Sequence, residues 1–149
     1  MQWQNMETIV YRPVGKVCSP YTEKAPRQPR EDDERGEFFV EVLPEFAPAL
    51  RDLDRFNYVI ILFHIHRSRR YEGSTEAHPP MLDGRSVGLF ASRSPHRPNP
   101  IGLDIARILR IRGRRIYTSG LSAIDGTPVV DIKPYIDNDS KRDTGVGFI

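Results

Sequence analysis

Cysteine is nearly absent from this sequence, Cys18 being the only one. A single thiol excludes an internal disulfide and a cysteine-based metal cluster, and it fits a reducing, cytoplasmic compartment. Long apolar runs are missing as well. The longest, Val59 to Phe63, falls far short of the ~20 residues of a membrane-spanning helix and suits a buried strand, so no membrane association is expected. The opening MQWQNMETIV has no basic region followed by an apolar one, so no signal peptide is expected. There is no internal repeat, no low-complexity segment and no glycine fingerprint of a Rossmann fold, which argues against a doubly wound nucleotide-binding domain.

What is present is ordinary in bulk and uneven in distribution. With 149 residues, 38% hydrophobic and 28% charged, the chain suits one soluble globular domain, expected over 1–137 with a polar tail over 138–149. Net charge is only +2, but residues 30–54 carry nine acids against Arg30, Arg35 and Arg51. Residues 85–115 carry eight arginines against Asp104 alone. Two readings are open: a surface facing a polyanion, or two charged faces that attract each other.

The periodicities predict six or seven strands and little helix. Strands are expected over Glu7–Val17 (broken near Pro13), Glu37–Leu43, Tyr58–His66, Val87–Ala91, Ile101–Ile111, Arg115–Ser122 and Val129–Ile132. Phe38 and Val40 should face opposite to Phe39. Glu45–Asp54 is expected to hold one or two short helical turns, and 18–35 and 67–86 to be loops. Ile101, Leu103, Ile105, Leu109 and Ile111 share one parity, which predicts a long strand with that side inward. The fold class expected is mainly β: a small antiparallel or mixed sheet curled into a barrel-like, non-Rossmann domain with short helical turns.

Three segments stand out chemically. Residues 91–103 contain Pro95, Pro98 and Pro100, which fix φ at close intervals and bias Ser94, Arg97 and Asn99 toward extended geometry. A stiff loop presenting Arg93, His96, Arg97 and Asn99 loses little entropy on binding a ligand; the alternative is a plain crossover with surface arginines. In Asp125–Tyr135, Asp-Gly makes a turn, and Asp131, Lys133 and Tyr135 follow on one side of a strand. An acid, an amine and a phenol in a row can orient a substrate or move a proton, or Asp131 and Lys133 can simply pair at the surface. Ala25–Pro29 is a polar turn between prolines. His64 and His66 share a face, but no third ligand lies nearby, so no metal is expected and a hydrogen-bonded pocket histidine is the better reading. Arg112, Arg114 and Arg115 flank Gly113 and should project from a hairpin tip, either as a phosphate contact or as a solubilising cap.

These segments carry a resemblance. Val14–Tyr21, Pro26–Pro29, Leu53–His66, Pro79-Pro80, Val87–Pro95, the run Arg97-Pro98-Asn99-Pro100-Ile101-Gly102-Leu103 and Asp125–Tyr135 resemble the TrmO/TsaA family of tRNA methyltransferases over roughly residues 9–137. Asp104 stands where the family usually has serine, and Ser92 where it usually has threonine. The resemblance implies S-adenosylmethionine-dependent methylation of N6 of N6-threonylcarbamoyladenosine, the base just 3′ of the tRNA anticodon. It implies a homodimer with the donor pocket close to the subunit interface, and contact with the anticodon stem-loop. It places the donor at Gln28, Pro29, Arg30, His66, Arg67, Arg93, Leu103 and the turn Asp125, Gly126, Thr127, Pro128 and Val129. For the chemistry of that substrate, Arg93, Arg97 and Lys133 are the candidates to stabilise the deprotonated nitrogen, Asp131 or Tyr135 to take the proton, and Arg97 to pair the threonyl carboxylate. A non-catalytic RNA-binding barrel, or a methyltransferase acting on another nucleoside or small molecule, are the alternatives.

Overall fold

The structure is a computed structural model and describes residues 7–145. Its strands are β1 (Gly15–Cys18), β2 (Phe38–Val42), β3 (Tyr58–His64), β4 (Glu76–Ala77), β5 (Val87–Gly88), β6 (Ile101–Arg112), β7 (Arg115–Thr118) and β8 (Pro128–Pro134). Six of them form one antiparallel sheet in the order β1-β2-β7-β6-β3-β8. β8 returns to β1 through Gly15↔Val129 and Lys16↔Pro128, so the sheet curls until its edges meet. The expected mainly-β, barrel-like class is what forms. β4 and β5 make a separate two-stranded ribbon. Short 3-10 turns at Pro44–Leu50 and Leu53–Arg55 fall in the stretch where helical turns are expected.

The interior is filled by β-branched and aromatic side chains at alternate positions. Val17, Phe38, Val40, Val59, Ile61, Ile116 and Val129 are all fully buried. Phe38 and Val40 point in, while Phe39 stacks outside on Tyr117 with ring centroids 5.2 Å apart. Burying side chains of this size stabilises by about 1.5–3 kcal/mol each relative to exposure.

Several expectations need correction. β1 begins only at Gly15, because Pro13 has no N–H and Val14 is the first residue to donate, to the Val129 carbonyl at 2.8 Å. Ile9, Val10 and Tyr11 lie bare outside the sheet. β3 ends at His64, two residues early, after a register shift at Leu62/Phe63. The Val87–Ala91 strand is two residues long and gives way to a 3-10 turn at Leu89–Ala91. β7 stops at Thr118. The 67–86 stretch is not all loop, since it supplies β4 and a 3-10 turn at Pro80–Leu82. Residues 146–149 of the expected tail lie outside the described residues.

The largest correction concerns β6. Its first half is inverted relative to the parity argument. Ile101, Leu103 and Ile105 are 51%, 41% and 36% exposed, while Asp104 and Ala106 point into the barrel. Register decides this: Asp104 sits opposite Ile61 and Ala106 opposite Val59, both core residues, so the isoleucines and Leu103 fall outside beside His64, Leu62 and Ile60. A further register shift between Ile108 and Arg110 follows in the β6–β7 pairing, and Ile108 and Ile111 then pack against the core.

Candidate functional site

One end of the barrel opens into a cavity of about 570 Å³, a size typical of small-molecule sites. Its apolar side is Phe63, Ile65, Leu103 and Ile124. Phe63 is set by its cross-strand partner: Gly102 leaves the space that the Phe63 ring occupies, and a Cβ at Gly102 would fall on that ring. The cavity is bordered by the segments 23–29, 65–69, 93–97 and 122–124 and by Thr127.

Each wall is tied down. Segment 23–29 is held from one end by Gly120, whose missing side chain lets the Arg30 carbonyl approach; an added Cβ would lie 2.6 Å from it. From the other end the Arg67 guanidinium donates to the Thr22 carbonyl at 3.1 Å. The Asp125 turn is fastened to the same strand exit: Asp125 accepts from the Ser19 N–H at 3.1 Å and donates its own N–H to the Tyr21 carbonyl at 2.7 Å. Thr127 closes the turn by donating its hydroxyl to the Ile124 carbonyl at 2.6 Å.

The proline loop is fastened by its own hydrogen bonds. The Ser92 hydroxyl donates to the Leu89 carbonyl at 2.7 Å, and the Ser94 and His96 N–H groups donate back to the Ser92 and Ser94 hydroxyls. Arg97 clamps the loop from within, one guanidinium nitrogen donating to the Ser92 and Ser94 carbonyls at 3.2 and 2.8 Å. Ser68 bridges to His96 Nδ1 at 3.2 Å, joining the loop to the end of β3.

The cavity brings together Gln28, Pro29, His66, Arg67, Arg93, Arg97, Leu103 and Thr127 from segments far apart in sequence. Arg30, Asp125, Gly126, Pro128 and Val129 stand behind its walls: Val129 is fully buried in the core and Gly126 N–H bonds the Val17 carbonyl. Asp131, Lys133 and Tyr135 lie elsewhere, on the outside of β8. Asp131 and Lys133 form a 3.2 Å ion pair beside Leu62 and Ile60. Tyr135 follows the strand and meets Tyr58 edge-on at 6.1 Å. His64 is exposed at the end of β3 while His66 lines the cavity. Among the described residues no group of three or more His, Cys, Asp or Glu side chains could hold a metal ion.

Asp104 is a cavity residue that the pattern-based reading does not single out as part of the site. Asp104 is 2% exposed and accepts two hydrogen bonds from Ser122, from its N–H at 2.7 Å and its hydroxyl at 2.6 Å. Burial pushes its carboxyl above the usual range, while Ser122 and the Arg93 charge pull it back. Its signs in the sequence are a charged residue inside an apolar strand and the departure there from the serine usual in the resembling family. His66 is shifted down, chiefly by burial and then by the Arg67 and His64 charges, which favours the neutral imidazole.

The arginine block is partly spent within the molecule. Arg107 reaches Glu34 at 3.6 Å and lies over Tyr58, and Arg115 pairs with Glu41 at 3.0 Å over Phe39. Arg114 donates to the Val42 carbonyl at 2.7 Å. The acidic and basic stretches therefore do meet within one chain. The β6–β7 turn at Gly113 (φ 57°) forms the expected hairpin tip, at the barrel end away from the cavity.

Residues 16–140 match the family described as tRNA-methyltransferase O N-terminal domain. A probable S-adenosyl-L-methionine-binding protein of Archaeoglobus fulgidus is 44% identical over 132 residues, 87% of this chain and 35% of its own. A tRNA (adenine(37)-N6)-methyltransferase of Mus musculus is 46% identical over 99 residues, 66% of this chain and 23% of its own. The crystal structure of TrmO from Pseudomonas aeruginosa superposes with a TM-score of 0.73 at 30% identity, over 96% of this chain and 63% of that one. The chain thus spans about a third of the archaeal relative and less than a quarter of the mouse one. With the family's description covering nearly the whole barrel, this chain belongs to the tRNA-methyltransferase O N-terminal-domain family.

Proposed function

We propose that the protein methylates N6 of N6-threonylcarbamoyladenosine at position 37 of tRNA, with S-adenosylmethionine as donor, in the cytoplasm. The observation that carries this reading is the barrel-end cavity, which gathers the proline loop, the Pro26–Pro29 turn and Thr127 around one space of about 570 Å³. The residues fit the donor. Phe63, Ile65 and Leu103 offer an apolar wall to a flat base, Gln28 and Thr127 offer hydrogen bonds, and Arg93 suits a carboxylate. Asp104 places a buried carboxyl on the wall where a cationic sulfur would be welcome.

When bound, S-adenosylmethionine supplies a methyl group on a positively charged sulfur. The chain's part is to hold the acceptor nitrogen in line with that group, about 3 Å away, and to keep water out. N6 of the acceptor is conjugated to a carbonyl and must lose its proton. His66 in the cavity wall, which burial favours as the neutral imidazole, would accept it, and Arg67, Arg93 and Arg97 on the same walls would stabilise the negative charge that develops.

A second copy belongs to this reading. Ile60, Leu62, Ile101, Leu103 and Ile105 form an apolar patch on the outer face of β3 and β6, and Ile101 and Leu103 also line the cavity. A two-fold partner on this face would cover it and wall the cavity further. It would also enclose Asp131, Lys133 and Tyr135, which border the patch from β8 and are remote from the cavity of their own chain. Anticodon-arm phosphates would meet the arginines left without an acidic partner among the described residues, Arg110 and Arg112 among them.

The test is nucleoside mass spectrometry on tRNA carrying N6-threonylcarbamoyladenosine, incubated with the protein and S-adenosylmethionine. A gain of one methyl on that nucleoside is expected. An unmodified nucleoside at complete donor saturation refutes the reading.

A further inference from the structure

A second cavity of about 470 Å³ adjoins the first, between segment 69–80 and the proline loop. The two share Arg69, Ser94 and His96, so these residues stand between them. The second cavity is of mixed character and is lined on its own side by Arg70, Tyr71, Glu72, Glu76 and His78. Tyr71 is fixed by donating its hydroxyl to the Ser74 carbonyl at 2.9 Å, and His96 by its 3.2 Å contact with Ser68. Arg69 and Arg70 form no ion pair and donate no hydrogen bond among the described residues, in contrast to Arg35, Arg107 and Arg115. Both guanidinium groups are exposed and line the hollow, so their N–H donors are open to an anion that enters it.

We infer that this second cavity receives the carboxylate-bearing acyl substituent of the acceptor base, with Arg70 pairing the carboxylate and Arg69 standing at the junction where the methyl group is transferred. The inference rests on the proposed function. Geometry supports the division of space. The reacting nitrogen must lie where donor and acceptor meet, and the shared residues mark that place. A substituent on the nitrogen then has one direction in which to extend, away from the donor and toward Arg70. The purine itself stays at the rim.

Arg97 is less suited to the carboxylate, because one of its nitrogens is committed to the Ser92 and Ser94 carbonyls. Glu72 and Glu76 also line the second cavity, so its field does not draw anions indiscriminately. Selection comes from paired N–H donors that match a carboxylate plane, and the glutamates are placed to accept from a hydroxyl on the same substituent.

The experiment compares two anticodon stem-loop RNAs under saturating donor. One carries the threonylcarbamoyl group as its free acid and the other as its carboxamide. For the wild type, kcat/KM is expected to favour the acid by about ten- to hundredfold, the range for a hydrogen-bonded charged group. Arg70→Ala should lose that preference by losing rate on the acid alone, Arg70→Lys should keep part of it, and donor affinity by calorimetry should be unchanged in both. An Arg70→Ala protein that still prefers the acid, or that slows equally on both RNAs, overturns the inference while leaving the methyltransferase reading intact. A wild type inert on both RNAs overturns the methyltransferase reading, and the inference with it.

Discussion

Replacing Gly102 with alanine should damage the cavity and the fold together, through one contact. Gly102 lies on β6 directly opposite Phe63 on β3, and the ring of Phe63 fills the space above it. A Cβ there would overlap ring carbons, so the ring must swing away. Phe63 is 5% exposed and forms part of the cavity's apolar wall, leaving it two poor choices: into the packed interior or into the cavity. Overpacking of this kind costs about 1–3 kcal/mol. For a domain of this length that corresponds to a fall in Tm of roughly 3–10 °C. The ring's share of the displaced volume comes from the donor space, so S-adenosylmethionine should bind more weakly as well. Thermal denaturation and calorimetry on Gly102→Ala read the two effects. Adding Phe63→Leu should recover part of both, giving a coupling of opposite sign to the single losses. A Gly102→Ala protein with unchanged Tm and unchanged donor affinity would refute the packing argument.

Other outcomes follow from the same structure. Gly120→Ala, whose Cβ would press on the Arg30 carbonyl, should loosen segment 23–29 and weaken donor binding while leaving the barrel's circular dichroism intact; unchanged affinity would free that segment from the site. Burial raises the Asp104 carboxyl, so the native state holds this proton more tightly than the unfolded chain, whose carboxyl titrates near about 4. Its contribution is fully present below that pH and is lost as pH rises through the folded value, so Asp104→Asn should gain Tm relative to wild type as pH rises above about 4; a pH-independent difference would contradict this. Ile105→Asp, on the bare outer face of β6, should give monomers by light scattering if a second copy covers that face, and an unchanged mass would exclude it. Arg110→Ala combined with Arg112→Ala should lower the salt slope of tRNA binding by up to about two.

The fold was legible where side-chain period and core coincide. Phe38 and Val40 alternate with Phe39 as a half-buried strand should, and the proline loop declared its stiffness through Pro95, Pro98 and Pro100. Period failed on β6 because it reports that one side of a strand is apolar, not which side faces in. There the apolar side is left for the outer patch, and the inward position of Asp104 is made tolerable by Ser122, eighteen residues away in sequence. The site was legible as motifs but not as a shape. Gln28, Arg93 and Thr127 line the cavity from segments that the motifs single out, whereas Phe63 and Ser122 look like ordinary strand residues until the register brings them to the cavity. The second cavity had no sequence signal, since it exists only where segment 69–80 folds against the proline loop.

Transfer of a labelled methyl group tests the central claim most directly. The protein is mixed in single-turnover excess with S-adenosylmethionine labelled at the methyl and with an anticodon stem-loop bearing either N6-threonylcarbamoyladenosine or plain adenosine at position 37. The account predicts that label enters the modified stem-loop at N6 and not the unmodified one. Label in neither RNA, despite saturating donor and a folded protein, or equal label in both, would contradict it.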